Sequence, residues 1–348
     1  MDSFTEVTPT LDNRWRAVIL FGRNVASYKF ALGRTLLDFA AKGVSHIPLT
    51  ELAVPYARHL CEHLKTCEKQ TIATSSKFLE ECRRFNRGER SETELVAVTA
   101  QLGFVNVIDA FHVVGRGDVG VRFFTDERAG SGSVRLTDEL FQLSEAYQSR
   151  NLPAEIEARW RLVETAWELQ LPTSALVVDY DADTGDLIPR TRLERRKAVT
   201  PCRNALNGYQ KGKCFYCFRD VSVVPGADDL GDVDHVFPHV LRFRVPRSPV
   251  AGRINGIWNL VLACPVCNRG EGGKFECLPS QRFIERLHTR NEFFVLSHHP
   301  LRETLIEQTG ATEHQRRAFL QEAYKCAKTE GGLVGNDWRP ADEREPAF

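Results

Sequence analysis

The sequence predicts an α+β protein: a mostly helical N-terminal domain with a small sheet over residues 1–192, a small finger of strands and one helix over 193–300, and C-terminal helices with a tail over 301–348. Three observations predict it. Apolar residues recur at helical spacing through the first hundred positions, β-rich runs replace them near residue 104, and two Cys-x-x-Cys pairs bracket a short segment late in the chain. A chain of 348 residues is long enough for two domains, each with its own hydrophobic core.

The elements follow in order. Trp15, Val18, Ile19, Val25, Tyr28, Leu32, Leu36 and Phe39 sit at helical spacing over 14–41, with Gly43 as the stop. Thr50 is placed to cap a second helix through Leu52, Tyr56, Leu60 and Leu64. Two more helices are predicted over 74–87 and 91–102, the latter with acidic residues in its first turn that suit the positive end of the helix dipole. Residues 105–114 and 120–125 are rich in β-formers, and 134–136 reads as a short strand. Helices resume over 138–149 and 153–170. Segments 174–180 and 187–192 flank the turn-rich Asp181-Ala182-Asp183-Thr184-Gly185-Asp186 and read as a hairpin. A helix over 194–210 leads into the finger, and helices over 280–293 and 313–327 follow it. From Thr329 the chain is rich in Gly, Pro and acidic residues and is expected to be loose, apart from an anchor at Trp338.

The net charge is zero, which argues against wholesale coating of nucleic acid, but its distribution is uneven. Residues 190–300 hold 18 basic and 10 acidic residues, a surplus of 8; the remainder holds 28 and 36, a deficit of 8. A basic module joined to an acidic one points to a nucleic-acid-facing half. Four of the ten cysteines fall in the Cys-x-x-Cys pairs, and the others are scattered without pairing rhythm. That usage predicts a reducing, cytoplasmic setting. Met1 leads into Asp2, Ser3 and Glu6, which predicts no secretory leader. No apolar run is long enough to cross a membrane, so no membrane partner is expected.

Cys214, Cys217, Cys264 and Cys267 supply four thiolates at zinc-ligand spacing, a closed tetrahedral set that predicts a structural Zn²⁺. Between the pairs stands Asp232-Val233-Asp234-His235-Val236-Phe237-Pro238, and the second pair lies within Trp258-Asn259-Leu260-Val261-Leu262-Ala263-Cys264-Pro265-Val266-Cys267-Asn268-Arg269-Gly270. Lys274 and Leu278-Pro279 follow. From Lys213 to Pro279 this order resembles an HNH endonuclease domain, also called a ββα-metal or His-Me finger. It is similar to the HNH domains of restriction-like enzymes and RNA-guided CRISPR nucleases, which share the Asp-His pair and two asparagines nine residues apart, here Asn259 and Asn268.

The resemblance implies hydrolysis of a phosphodiester with one catalytic divalent cation, Mg²⁺ or Mn²⁺. His235 would be the general base, because a neutral imidazole can take a proton from water near neutral pH. Asp234 would be a metal ligand through hard carboxylate oxygen. Asp234 and His235 are adjacent, so a regular strand turns them to opposite faces, and both serve one site only if the strand ends or bends there. The resemblance makes Asn268 the second ligand; its competing role is a helix cap. Asn259 is expected to orient the loop that carries His235 through backbone hydrogen bonds. Arg269 and Lys274 are candidates for neutralising phosphate charge, and Gly270, Gly272 and Gly273 for close approach to DNA. Arg242, Arg244 and Arg247 alternate at strand spacing and form either a phosphate-binding stripe or a solvated face. His239 is a phosphate contact or a surface histidine, and Asp232 an outer support of the site or a turn residue.

Residues 1–190 carry no catalytic signature. They are expected to bind a protein partner, form a homodimer, or restrain the nuclease, as in an anti-phage defence or restriction-like system. Two functions follow. One is a metal-dependent endonuclease acting on nucleic acid, with DNA the expected substrate. The other is a non-catalytic zinc-stabilised nucleic-acid-binding subunit of a larger assembly. The Asp234, His235 and Asn268 set favours the enzyme.

Overall fold

The computed structural model describes residues 10–21, 25–114, 117–190, 198–248, 250–297, 299–333 and 337–348. The chain divides into two compact units, Met1–Gln170 and Leu171–Phe348. Both combine helices with small antiparallel sheets, which is the α+β class. The division falls at 170/171 rather than 192/193, so the hairpin after residue 171 and the helices after residue 301 both belong to the second unit.

In the first unit, helices α1 (Leu11–Phe21), α2 (Tyr28–Ala40), α3 (Leu49–Thr66), α4 (Lys77–Asn86), α5 (Glu92–Val98) and a short α6 (Val107–Ala110) lead to α7 (Asp138–Glu145) and α8 (Leu152–Glu168). A three-stranded sheet orders β1 (His46–Pro48), β5 (Ser133–Leu136) and β4 (Phe124–Glu127), and a small ribbon pairs β2 (Val113–Val114) with β3 (Gly117–Asp118). One core holds Trp15, Phe30, Tyr56, Phe111, Phe123 and Trp160. The run expected as one helix over 14–41 is two, because residues 25–27 peel away to pair with 70–72: Ser27 donates to the carbonyl of Gln70 and Ile72 to that of Val25. Thr50 is not the cap of α3, which starts one residue earlier after Pro48. Ser91 caps α5 in a reciprocal capping box with Glu94. The stretch expected to be extended over 105–114 is partly helical, since Val107, Ile108 and Phe111 all turn inward at helical spacing.

In the second unit, a sheet of β6 (Val178–Tyr180), β7 (Asp186–Pro189) and β8 (Thr200–Pro201) precedes α9 (Cys202–Gln210). The β6–β7 turn is set by Asp181, whose Oδ1 accepts from the N–H of Asp183, and by Gly185 at φ 78°. Of the helix expected over 194–210, residues 194–197 lie outside the described residues, and the described helix begins at Cys202. Two strands, β9 (Asp232–His235) and β10 (Leu260–Ala263), then pair antiparallel, with His235 opposite Leu260 and Asp234 opposite Val261. The connection between them carries a one-turn helix α10 (Leu241–Arg244), and a short α11 (Pro265–Arg269) follows β10 directly. Helices α12 (Gln281–Leu296), α13 (Arg302–Thr309) and α14 (Glu313–Thr329) complete the unit; α13 had no counterpart in the sequence reading.

The tail is fastened, not loose. Trp338 bridges in parallel to Pro279 and donates through Nε1 to the carbonyl of Gly272 at 2.8 Å. Arg344 donates its N–H to the carbonyl of Cys217, Glu343 accepts from Arg286, and the Phe348 ring packs on Tyr209, Phe215 and Phe218.

Candidate active site

Cys214 and Cys217 sit on a tight turn after α9, in which Phe218 takes the left-handed conformation at φ 57° and donates back to the carbonyl of Cys214. Cys264 caps α11, its Sγ accepting from the N–H of Cys267, with Pro265 in the first turn. The four sulfurs lie within 4.8 Å of one another, and those of Cys217 and Cys264 are 3.6 Å apart. Zinc–thiolate bonds of about 2.3 Å in a tetrahedron set sulfurs about 3.8 Å apart, so the set fits a zinc-like ion. All four are buried, which is compatible with a closed, structural kind of site.

This cluster ties the start of the finger to the end of β10, and β9 lies against β10. Asn259, fully buried just before β10, fixes the connection. Its Oδ1 accepts from the N–H of Phe237 at 2.7 Å, and its Nδ2 donates to the carbonyls of Phe237 and Ile254, both at 2.9 Å. Its amide is fully used by backbone and makes no approach to a reactant. From α12, the buried Arg290 donates to the carbonyls of Ile257 and Leu260, holding the same segment from behind. The sequence reading missed Arg290, whose partners are more than twenty residues away in the chain.

His235 ends β9, half-buried. Its Nε2 meets Oδ1 of Asn255 at 2.9 Å, so Nε2 donates and Nδ1 carries the lone pair. Burial pushes its pKa below the ordinary value, against the smaller opposing effects of Asn255 and Asp234, so the imidazole is neutral at pH 7. The rings of Tyr180 and His239 stand 6.5 and 5.4 Å from it. Neither Asn255 nor Tyr180 was among the sequence-predicted site residues; Asn255 lies in an irregular connection, and Tyr180 in a hairpin assigned to the other domain.

Asp234 points the other way. It is buried, and its carboxylate accepts from the Tyr216 hydroxyl at 2.6 Å and from Lys274 Nζ at 3.3 Å. Tyr216 stands between Cys214 and Cys217 in the chain, and burial together with the Asp234 charge raises its pKa well above the usual value, which keeps it a donor. Lys274, expected at a phosphate-facing position, has a fully buried side chain and is spent on Asp234. Asn268, expected beside Asp234, instead donates to Oδ2 of Asp232 at 3.1 Å, and Arg269 Nε reaches the same oxygen at 2.8 Å. The alternation of the strand explains this: Asp232 and Asp234 share a face, and the α11 residues meet the outer of the two. The pair expected to hold a divalent cation, Asp234 with Asn268, is therefore not assembled and does not fit that ion.

Asp232, Asn268 and Arg269 open onto a cleft of about 490 Å³ whose other wall is Tyr180, Thr184, Gly185, Asp186 and Arg203. Gly270 and Gly273 serve local packing, not close approach to DNA: a Cβ at either would press to 2.8 and 2.7 Å on backbone atoms of Val266 and Gly270. Arg242 and Arg244 are not on a strand. The carbonyls of His239 and Val240 take the N–H groups of Arg242 and Arg244, winding the segment into α10 with both side chains exposed. Arg269 is exposed and His239 half-buried.

No family model matches the chain, and no curated protein or solved structure does.

Proposed function

We propose that the second unit is an HNH-type endonuclease that hydrolyses phosphodiester bonds, with DNA as its substrate. The observation that carries this reading is the order strand, strand, helix, stapled by four cysteines, with a neutral, positioned histidine at the end of the first strand. His235 takes a proton from water at Nδ1 while Asn255 holds the ring through Nε2. The hydroxide attacks phosphorus, the phosphodiester P–O bond breaks, and the leaving oxygen takes a proton from solvent. Asn259 and Arg290 keep the strand end and its connection in one geometry, so the base does not wander from its target. Arg203 and Arg269, the latter paired with Asp232, are the cations that line the neighbouring cleft and are our candidates for phosphate contact. The divalent cation that the resemblance implies finds no ligand pair in Asp234 and Asn268, so the step is carried by the protein's own side chains.

The competing reading is a non-catalytic zinc-stabilised binding subunit. A pure binding module has no use for a desolvated, oriented histidine, which favours the enzyme. Incubation of the purified full chain with supercoiled plasmid and with labelled oligonucleotides, in Mg²⁺ or Mn²⁺, separates the two. Time-dependent nicked, linear or shortened products support the nuclease; binding without products over a full range of metal and substrate supports the subunit.

A further inference from the structure

Phe243 is 72% exposed, in the middle of α10 and between the exposed Arg242 and Arg244. Leaving such a ring in water forgoes the gain of burying it, so folding does not account for it. The turn that presents it is firmly seated: Leu241 and Val245 are buried on either side. The Phe243 ring is 6.0 Å from that of His239, which is 5.4 Å from His235, so a row of rings leads from the proposed base to the surface. Arg244 and Arg247 also line one wall of a groove of about 810 Å³. Its other wall is α14, with Phe319 and His314, and the acidic Glu322 and Glu330 stand on that helix side. The cationic face is thus the α10 side, with the exposed Phe243 on the same turn.

We propose that α10 is a clamp for single-stranded nucleic acid: an unpaired base stacks on Phe243 while Arg242, Arg244 and Arg247 hold the flanking phosphates. Its link to cleavage rests on the nuclease reading above; its binding chemistry does not. In a duplex each base face is covered by its neighbour, and a phenyl ring on the protein surface finds nothing to stack on. In a single strand every base offers a π-face, and a ring without hydrogen-bonding groups accepts all four alike. The flanking arginines place positive charge on either side of the ring, with Arg244 also donating to the carbonyl of Gly331, and make a phosphate contact salt-sensitive. The specificity this gives is for unpaired or distorted stretches, not for a base sequence.

The test is fluorescence anisotropy of the full chain with a labelled mixed-sequence single-stranded DNA, an RNA of the same sequence, and the matching DNA duplex. Wild type is expected to bind a single strand more tightly than the duplex. Phe243→Ala should weaken single-strand binding roughly tenfold or more and leave duplex binding unchanged, while Phe243→Trp should retain it. Arg242→Ala should flatten the salt dependence on the single strand by about 0.7 in log–log slope. Single-strand binding unchanged in Phe243→Ala, an equal loss on the duplex, or no single-strand binding by wild type would overturn the proposal. Phe243-dependent binding without cleavage of any substrate would sink the nuclease reading while sustaining the clamp.

Discussion

Asp234 shows how a residue named for one job is found doing another. Its carboxylate lies inside the unit with Lys274 and Tyr216, so truncating it leaves a buried ammonium and a buried hydroxyl without their partner. Removing one member of a buried ion pair typically costs about 3–5 kcal/mol. Asp234→Ala is therefore expected to lower the unfolding free energy of the second unit by that order, read from denaturant titration, and Asp234→Asn by less. A loss under about 1 kcal/mol would show the pair to be unimportant to the fold.

At the same scale, two histidines of the first unit titrate in opposite senses. Burial lowers the pKa of His63, but its hydrogen bonds to Glu157 and Glu164 outweigh burial and raise it above the ordinary value. Its ring also stacks on Trp160 at 3.4 Å. Such a group stabilises the fold fully below its unfolded pKa of about 6.5 and loses that contribution as pH rises through its folded value. His112 is pushed down to about 4, chiefly by burial, and its Nε2 accepts from the N–H of Phe123. Its contribution is full above about pH 6.5 and is lost as pH falls toward 4. Against wild type, His63→Gln should cost more stability at about pH 5 than at about pH 8, and His112→Gln more at about pH 8 than at about pH 5. Denaturant unfolding at both pH values reads this; slopes of the same sign in both variants would refute it.

Among the elements, the four clustered cysteines are expected to link folding of the β9–β10–α11 segment to a zinc-like ion. Cys264→Ser is expected to release zinc and unfold the β9–β10–α11 element, because zinc binding supplies folding free energy directly. Metal analysis and proteolysis of the variant check it, and active wild-type protein without bound metal would contradict it. The cysteine cluster of this element was legible in the spacing of its two Cys-x-x-Cys pairs, and the fold does bring the four sulfurs together. The hairpin before it was legible from the Asp181–Gly185 turn. Less was visible where partners are distant in the chain. Nothing local shows that Lys274 reaches back forty residues to Asp234, that Asn268 meets Asp232 instead of Asp234, or that β6 and β7 form a wall of the cleft. Arg242 and Arg244 misled because alternation also suits a single helical turn when Leu241 and Val245, four apart, are the buried pair.

For the whole molecule, the charge asymmetry is local and does not follow the division into units: Met1–Gln170 holds 21 basic and 23 acidic residues, and Leu171–Phe348 holds 25 and 23. The surplus of basic residues over 190–300 falls within Leu171–Phe348, while the remainder of the chain is acidic. Nucleic-acid binding by the full chain is thus expected to weaken steeply as salt rises, through phosphate contacts in the second unit alone. Gel-shift titrations of fragments 1–170 and 171–348 at two salt concentrations test this, and tight binding by the first fragment with none by the second would reverse the assignment.

The central claim, that His235 is the base of a phosphodiester hydrolase, is tested most directly by single-turnover cleavage of a labelled oligonucleotide by zinc-loaded full chain, beside His235→Ala. The half-buried ring contributes little packing, so the variant should keep its zinc and its unfolding midpoint while the cleavage rate falls by at least about a hundredfold. Cleavage at the wild-type rate in the variant, or no cleavage of any nucleic acid by zinc-loaded wild type, would contradict it.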